Sequence, residues 1–190
     1  MNKQNILNES QGSLKVGVFN LTDGRNVSQL NNIDRSKVRC VIAYIDEERN
    51  VAIGLCPVKI MLPFAFGCLA INTEGIKSGR EATKILLEEA AKQGIGLPAA
   101  EFCVNYDKSG IGKGEAFLLS SYELKQFSFQ KELVKSLFQL GFWSGDRTLW
   151  SSTIGINFNV WMQSFSTAAV TGWHIQYRTF GVMPAVEIPL

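Results

Sequence analysis

The sequence predicts an α+β domain, because strand patterns occupy both ends of the chain and helical patterns occupy its middle. Residues 14–56 contain short apolar stretches separated by polar turns. Residues 78–141 carry apolar side chains at helical intervals, and short strand patterns return after Trp150. This order favours two or three helices packed between N- and C-terminal antiparallel strands that lie together.

The N-terminal strands are predicted at Leu14–Asn20, Val38–Ile45 and Val51–Cys56. A polar turn at residues 46–50 joins the last two, which is typical of a hairpin. Both phases of Val38–Ile45 are largely apolar, so this strand is expected to be covered on both faces.

Two helices are predicted next along the chain. Ser78 and Glu81 have the spacing of a capping box, and Gly94 can end the helix, which we place at 80–93. Pro98 suits the first position of a second, shorter helix, because its missing N–H is not needed there.

A third helical segment follows a short strand predicted at 117–119. Ser120 and Glu123 form another capping-box pair, and the helical pattern continues to Gly141. We expect a break in this segment near Ser128.

The last third of the chain predicts strands at 157–165, 171–177 and 181–188. In the first of these strands one phase is apolar, whereas the other mixes amides with a large aromatic ring. Large aromatics among amides are typical of recognition surfaces, although an ordinary half-buried sheet face explains them equally well. The predicted partner face consists of Asn157, Asn159, Trp161, Gln163, Trp173, His174 and Gln176. Either side of the second strand fits an exposed position, since Trp173 lies in the phase opposite to His174 and Gln176.

Residues 14–190 are predicted to form one domain preceded by an arm at residues 1–13. The arm is rich in Asn, Gln and Ser and lacks the basic-then-apolar order of a secretory signal. Either a signal was trimmed or the protein is used without this route of export; the initiating Met favours the second explanation.

Composition points to assembly with other proteins. Apolar residues make up 46% of the chain and charged residues 19%, against about 25% charged in average soluble domains. We therefore expect apolar surface that other subunits cover, and an oligomer.

The net charge of +2 comes without a Lys/Arg block, which argues against nucleic-acid binding. The longest apolar run, residues 61–71, is too short to cross a membrane, so no membrane insertion is expected.

The residues favour neither catalysis nor a cofactor. His174 is the only histidine, which excludes a two-histidine metal site within one chain. The glycine-rich loop at 107–114 fails the spacing of phosphate-binding motifs and is interpreted as a turn. We expect no metal and no catalytic residue.

The cysteines at positions 40, 56, 68 and 103 are predicted to be buried thiols, or to include one disulfide if the protein is exported.

Several stretches resemble the Legionella-collagen-like C-terminal domain family and its relatives in gut Bacteroidetes and phages. Residues 116–124, from Ala116 to Leu124, are similar to the family's Trp-Tyr-Leu-Pro-Ser-x-Gly-Glu-Leu segment. The other matching stretches, in family order, are Val16–Phe19, Thr22–Gly24, Val41–Tyr44, Ser78–Thr83, Ala99–Cys103, Trp150–Thr153, Val160–Trp161 with Phe165, and Val182–Ala185. The resemblance spans about residues 14–190.

The resemblance implies a C-type-lectin-like fold with a binding or structural role. Trp150 matches a position expected in the core. Ala116, Leu119, Tyr122 and Met183 replace the family's Trp, Pro, Gly and Arg, which makes this a divergent member. The calcium-binding tripeptides of true C-type lectins are absent, so sugar binding is not implied.

Three functions follow from these observations. The first is a non-enzymatic structural or receptor-binding component of a phage virion. The second is an exported adhesin or fimbrial-type domain on a bacterial cell surface, with a host receptor or glycan as its partner. The third is an enzyme on the related formylglycine-generating fold, which would need two closely placed reactive cysteines.

Overall fold

The computed structural model describes residues 13–31, 33–127, 130–142, 148–165 and 176–190. This part of the chain is α+β, as the sequence predicts, with four α-helices and nine strands. The strands are β1 Phe19–Leu21, β2 Asn26–Val27, β3 Val38–Asp46, β4 Val51–Leu55, β5 Ile60–Pro63, β6 Thr148–Ile154, β7 Val160–Ser164, β8 Thr179–Val182 and β9 Ala185–Pro189. The helices are α1 Gly79–Gln93, α2 Pro98–Val104, α3 Ser121–Phe127 and α4 Lys131–Gln139.

The strands form two sheets. One is antiparallel with the order β2-β1-β3-β4-β9, so the C-terminal strand completes the N-terminal sheet by pairing with β4. This agrees with the expectation that the two ends of the chain lie together. The other sheet has the order β5-β8-β6-β7, in which β6 and β8 run parallel.

The first sheet is buried on both sides. One face packs against α3 and α4 around Phe19, Val41 and Ile53. The opposite face carries Cys40 and Ile42 and is covered by the loop that follows α2. The prediction of a strand covered on both faces is therefore confirmed for β3, whose phases face two different apolar clusters.

The second sheet packs against α1 and α2. Trp150 of β6 is 1% exposed and meets Phe64 and Phe180 edge to face, at centroid distances of 5.6 Å and 4.8 Å. Its indole Nε1 donates to the Leu62 carbonyl oxygen at 2.9 Å. The core position expected for Trp150 is confirmed.

All three predicted helix starts are present, and α2 begins at Pro98 as expected. Ser78 caps α1, because its Oγ accepts from the Glu81 N–H at 3.3 Å. The second capping box is reciprocal: the Ser120 Oγ accepts from the Glu123 N–H at 3.1 Å, and Glu123 Oε2 accepts from the Ser120 N–H at 3.0 Å. The helix predicted at 80–93 is α1.

Several predicted strand boundaries are wrong. The first strand begins at Phe19 rather than Leu14, because the chain turns at Gly17, where φ is +84°. The predicted strand 117–119 is a single bridge between Phe117 and Ala185. The predicted strand 181–188 is two strands, β8 and β9, separated at residues 183–184, where Pro184 lacks an N–H for pairing. The predicted break near Ser128 is consistent with α3 and α4 being separate helices, although residues 128–129 are outside the described ranges.

Candidate functional site

The predicted partner face is not one continuous strand face. Asn157 is exposed but lies in a short 3-10 turn before β7, and Asn159 is partly buried just outside the strand. Trp161 and Gln163 share a face of β7. Trp173 and His174 lie outside the described residues.

Helix α3 covers the side of β7 that was expected to meet water or a partner. The Lys125 ammonium of α3 lies 5.4 Å from the centroid of the Trp161 ring, a distance at which a cation is attracted to an aromatic face. Gln163 is only 1% exposed, and its Nε2 donates to the Ser164 carbonyl oxygen at 3.1 Å. The expected exposure of Gln163 is therefore wrong, because an amide alternating with an aromatic residue also suits a sheet face covered by the protein's own helix.

Gln176 is also buried rather than exposed, at 2% of its accessible area. Its Oε1 accepts from the Leu69 N–H at 2.8 Å, and its Nε2 donates to the carbonyl oxygens of Leu69 and Phe158. Its own carbonyl oxygen accepts from the Ala65 N–H at 3.0 Å. One buried amide thus joins three separate chain segments, which is a structural role.

Exposed aromatic side chains extend from the segments that meet at Gln176. Phe66 is 70% exposed, Tyr177 is 66% exposed and Phe158 is 45% exposed. Ile156, at 64%, lies in the same turn as Phe158. We call these four residues the aromatic surface. Exposed apolar groups of this size are typical of protein interaction sites.

The backbone of the aromatic surface is strained. Asn157 and Phe158 have φ values of +67° and +60°. Asn tolerates this left-handed region, but a bulky aromatic residue rarely adopts it, at a cost of roughly 1–2 kcal/mol. Backbone strain of this kind persists where the surrounding structure imposes it, and it is more frequent at binding sites.

A separate cavity of about 680 Å³ opens beside the end of α2. Its apolar lining includes Phe102, Tyr106 and Phe142, and its charged lining consists of Arg35, Asp107 and Lys108. Burial raises the pKa of Tyr106, partly opposed by its hydrogen bond with Ser109, so the phenol is neutral at physiological pH. The volume and lining suit a small ligand with an apolar face and a polar edge.

Buried charges lie elsewhere, between α3 and the first sheet. The Arg49 guanidinium contacts carboxylates of Asp46 at 2.7 Å, Glu123 at 2.9 Å and Glu187 at 3.2 Å. Glu123 is fully buried, and its Oε2 also accepts from the Gly79 N–H. Burial raises the pKa of Glu123, while the hydrogen bonds from the backbone and Arg49 oppose that shift. Every carboxylate oxygen of Glu123 has a partner, so the network is organised to hold three parts of the fold together.

Glu123 and Asp46 are thus both buried, which is unusual for acidic side chains. The signal available in the sequence was the capping box at Ser120 and Glu123, which indicates a carboxylate directed back toward the backbone. It did not reveal Arg49, which lies 74 residues away along the chain.

The predicted burial of the cysteines is confirmed for three residues and wrong for one. Cys40, Cys56 and Cys103 are buried thiols, whereas Cys68 is exposed, in the loop after β5.

Within the described ranges, no group of three or more His, Cys, Asp or Glu side chains is arranged to hold a metal ion. The same ranges contain no helix with the length and apolar character needed to cross a bilayer.

Comparison with solved structures finds a related fold in a fimbrial protein from Bacteroides ovatus. The two chains are 13% identical, with a TM-score of 0.66 over 92% of this chain. The similarity covers 49% of the fimbrial protein, so this chain spans about half the length of that structure. No protein-family model and no curated protein matches the sequence. At this identity the similarity establishes a shared α+β fold.

Proposed function

We propose that this chain is a non-enzymatic structural or binding domain of a fimbrial-type assembly on a bacterial cell surface. The observation that carries the proposal is the backbone similarity of nearly the whole chain to a fimbrial protein. Of the settings that the sequence left open, this similarity favours the cell-surface alternative over the virion. The C-type-lectin-like fold and the resemblance to Legionella-collagen-like domains remain part of the proposal.

The aromatic surface is the proposed contact with another protein subunit. Phe66, Phe158 and Tyr177 present apolar area to water from segments held rigidly at Gln176. Covering a large aromatic ring contributes about 1.5–3 kcal/mol, and a preformed surface loses little conformational entropy on binding. These features suit a protein partner with a complementary apolar surface.

Crosslinking in cells tests the assembly proposal. A photoreactive amino acid placed at Phe66 or Tyr177 is expected to crosslink to another envelope subunit. The same substitution at Phe138, which is 52% exposed on α4, is the control for an exposed aromatic position outside this surface. Equal crosslinking from all three positions would reject the aromatic surface as the contact.

Localisation tests the cell-surface proposal separately. A tagged protein in its source bacterium should be digested by protease added to intact cells and should be present in sheared surface filaments. Recovery with virions in a density gradient, or only within the cytoplasmic fraction, would contradict the proposal.

The cavity beside α2 is the proposed place for a small receptor fragment or glycan. Two basic side chains, Arg35 and Lys108, line the cavity against one acidic side chain, Asp107, so its net charge favours a ligand with an anionic group. Lys108→Glu should weaken binding of such a ligand roughly tenfold. Lys84→Glu, on the exposed side of α1, makes the same charge change away from this cavity and should leave binding unchanged.

A further inference from the structure

The register of the first sheet places two cysteines opposite each other. Val41 of β3 pairs with Leu55 of β4, and Ile42 pairs with Gly54. One step further along the same antiparallel register, Cys40 faces Cys56. Both side chains lie on the same buried side of the sheet, in the apolar cluster covered by the loop after α2.

The backbone hydrogen bonds indicate that Cys40 and Cys56 form a non-hydrogen-bonded pair of the antiparallel ladder. The Ile42 N–H donates to Val18 in the direction of β1, and the Cys56 N–H donates to Pro184 in the direction of β9. Because alternate residues of a strand point their N–H groups the same way, the N–H groups of Cys40 and Cys56 both point away from the seam between β3 and β4. Such non-hydrogen-bonded pairs have Cα atoms roughly 4.5 Å apart, within the range that a disulfide spans.

Gly54 leaves room for the Cys40 side chain to rotate. A Cβ at Gly54 would collide with Cys40 Sγ and would lie 2.9 Å from Cys40 Cβ. The thiol of Cys40 therefore rests above the glycine, and no side chain of Gly54 blocks its rotation toward Cys56. We infer that Cys40 and Cys56 are joined by a disulfide in the exported protein, an inference that rests on the proposed cell-surface location for the presence of an oxidising environment.

The chemistry requires an oxidant, which we assign to a disulfide donor of the thiol–disulfide exchange class. The thiolate of one cysteine attacks the donor disulfide, forming a mixed disulfide and releasing one donor thiolate. The thiolate of the second cysteine attacks the protein sulfur of that mixed disulfide, and the second donor thiolate leaves. The two cysteine protons end on the two donor thiols, so the protein loses two electrons and the donor gains them.

Burial restricts when this exchange can take place. Both sulfurs are inaccessible in the folded domain, and burial raises the pKa of Cys40 to about 12, so little thiolate forms there. Exchange is therefore expected during folding, before the loop after α2 covers the pair. The folded, reduced domain should resist oxidation.

The neighbouring Cys103 provides the rival pairing. Burial raises the pKa of Cys56 first of all, and interaction with Cys40 and Cys103 raises it further, which places all three sulfurs in one region. A test must therefore identify which two cysteines are linked and not only count thiols.

Refolding with a defined disulfide donor tests the inference. The purified chain, with Cys68→Ser to remove the exposed thiol, is unfolded, reduced and refolded in oxidised glutathione. Non-reducing peptide mapping should show a Cys40–Cys56 link and a mass lower by about 2 Da. The Cys103→Ala variant should keep the link, and the Cys56→Ala variant should lose it. The oxidised protein should unfold roughly 5–10 °C higher than the reduced protein.

Two outcomes would overturn the inference: a Cys56–Cys103 link, or refolding with both thiols reduced. The protein isolated from its source cells under thiol-trapping conditions adds a separate result. A link that forms on refolding but is missing from cells would leave the geometry intact and would contradict the proposed cell-surface location.

Discussion

The charge network around Arg49 depends most on Glu123. This carboxylate is fully buried and accepts from two backbone N–H groups as well as from the guanidinium. Removing one partner from a buried network leaves the others without compensation, which costs more than the net contribution of the intact pair.

Glu123→Ala is therefore expected to lower the free energy of unfolding by about 3–5 kcal/mol. Chemical denaturation with urea measures the change. Glu88→Ala is the matched control, because Glu88 forms an exposed 3.9 Å pair with Lys84, and such pairs contribute about 0.5 kcal/mol or less. Similar losses for both variants would show that the buried network stabilises the fold no more than an exposed ion pair does.

The ionisation of Asp46 makes the stabilising effect of the network depend on pH. Burial acts to raise the pKa of Asp46, but the hydrogen bonds from the Arg49 side chain and backbone outweigh it, so the pKa lies below its ordinary value of 3.8. A carboxylate with a lowered folded-state pKa stabilises the fold above its unfolded pKa and loses that contribution as pH falls through the folded pKa.

The difference in unfolding free energy between wild type and Asp46→Asn should thus be constant near neutral pH and shrink as pH falls below about 4. Urea unfolding across this pH range measures the difference. A gap that stays constant down to about pH 2 would mean that the ionisation of Asp46 is not coupled to folding.

Gly79 shows how closely α1 approaches the segment before α3. A Cβ at this position would lie 2.6 Å from the Leu118 carbonyl oxygen and 2.7 Å from the Ser120 N atom. Both atoms belong to the backbone and cannot rotate away. Gly79→Ala should cost about 1–3 kcal/mol in the free energy of unfolding. Gly112→Ala is the matched control, because neither glycine has a positive φ and the nearest atom to a Cβ at Gly112 is Glu115 Oε1 at 3.4 Å; an equal cost would rule out crowding as the cause.

At the scale of elements, β6 holds the second half of the molecule together. All seven of its residues are buried, and it pairs with β7 on one side and with β8 on the other. Trp150 fills the space between this strand and the segment after β5. A fully buried strand of this kind needs no alternation of polar and apolar residues, and its run of Ser and Thr conceals it from pattern analysis.

Trp150→Ala should remove both edge-to-face contacts and the hydrogen bond to Leu62, and it should lower the unfolding free energy by about 3–5 kcal/mol. Trp150→Phe restores ring volume without the N–H donor and should recover part of that loss. Denaturation curves that are unchanged for the Ala variant would contradict the buried position.

At the scale of the whole molecule, β9 links the end of the chain to its beginning. It pairs along its length with β4, from Leu55↔Ala185 to Val51↔Pro189, and its Glu187 contacts both Arg49 and Arg80. Elements joined in this way generally unfold together. The backbone amides of Val186 and Ile188 should therefore exchange with solvent as slowly as those of β3. Exchange that is much faster in β9 would show that the C-terminal strand opens independently.

Local chemistry was sufficient for the class of fold and for its helix starts. The capping residues at Ser78 and Ser120 act on N–H groups within the next three positions, so their effect is visible in the sequence. The strand phases of β3 likewise predicted burial on both faces. Contacts between distant segments were not predictable in this way. Gln163 and Gln176 have the residue type of an exposed surface, yet α3 covers one and three converging segments enclose the other.

The cysteine pair shows most clearly the difference between what local chemistry predicts and what contacts between distant segments decide. Near the turn, the hairpin pairs Asp46 with Val51 and Ile45 with Ala52, a register that would place Cys40 opposite Pro57. A bulge between Ile42 and Tyr44 shifts the pairing by one residue, so Cys40 faces Cys56 instead. Side-chain periodicity and turn residues act over a few positions and make the hairpin predictable. The bulge depends on how the two faces of β3 pack against separate clusters, so the register, and with it the neighbour of each cysteine, arises only when the whole domain is assembled.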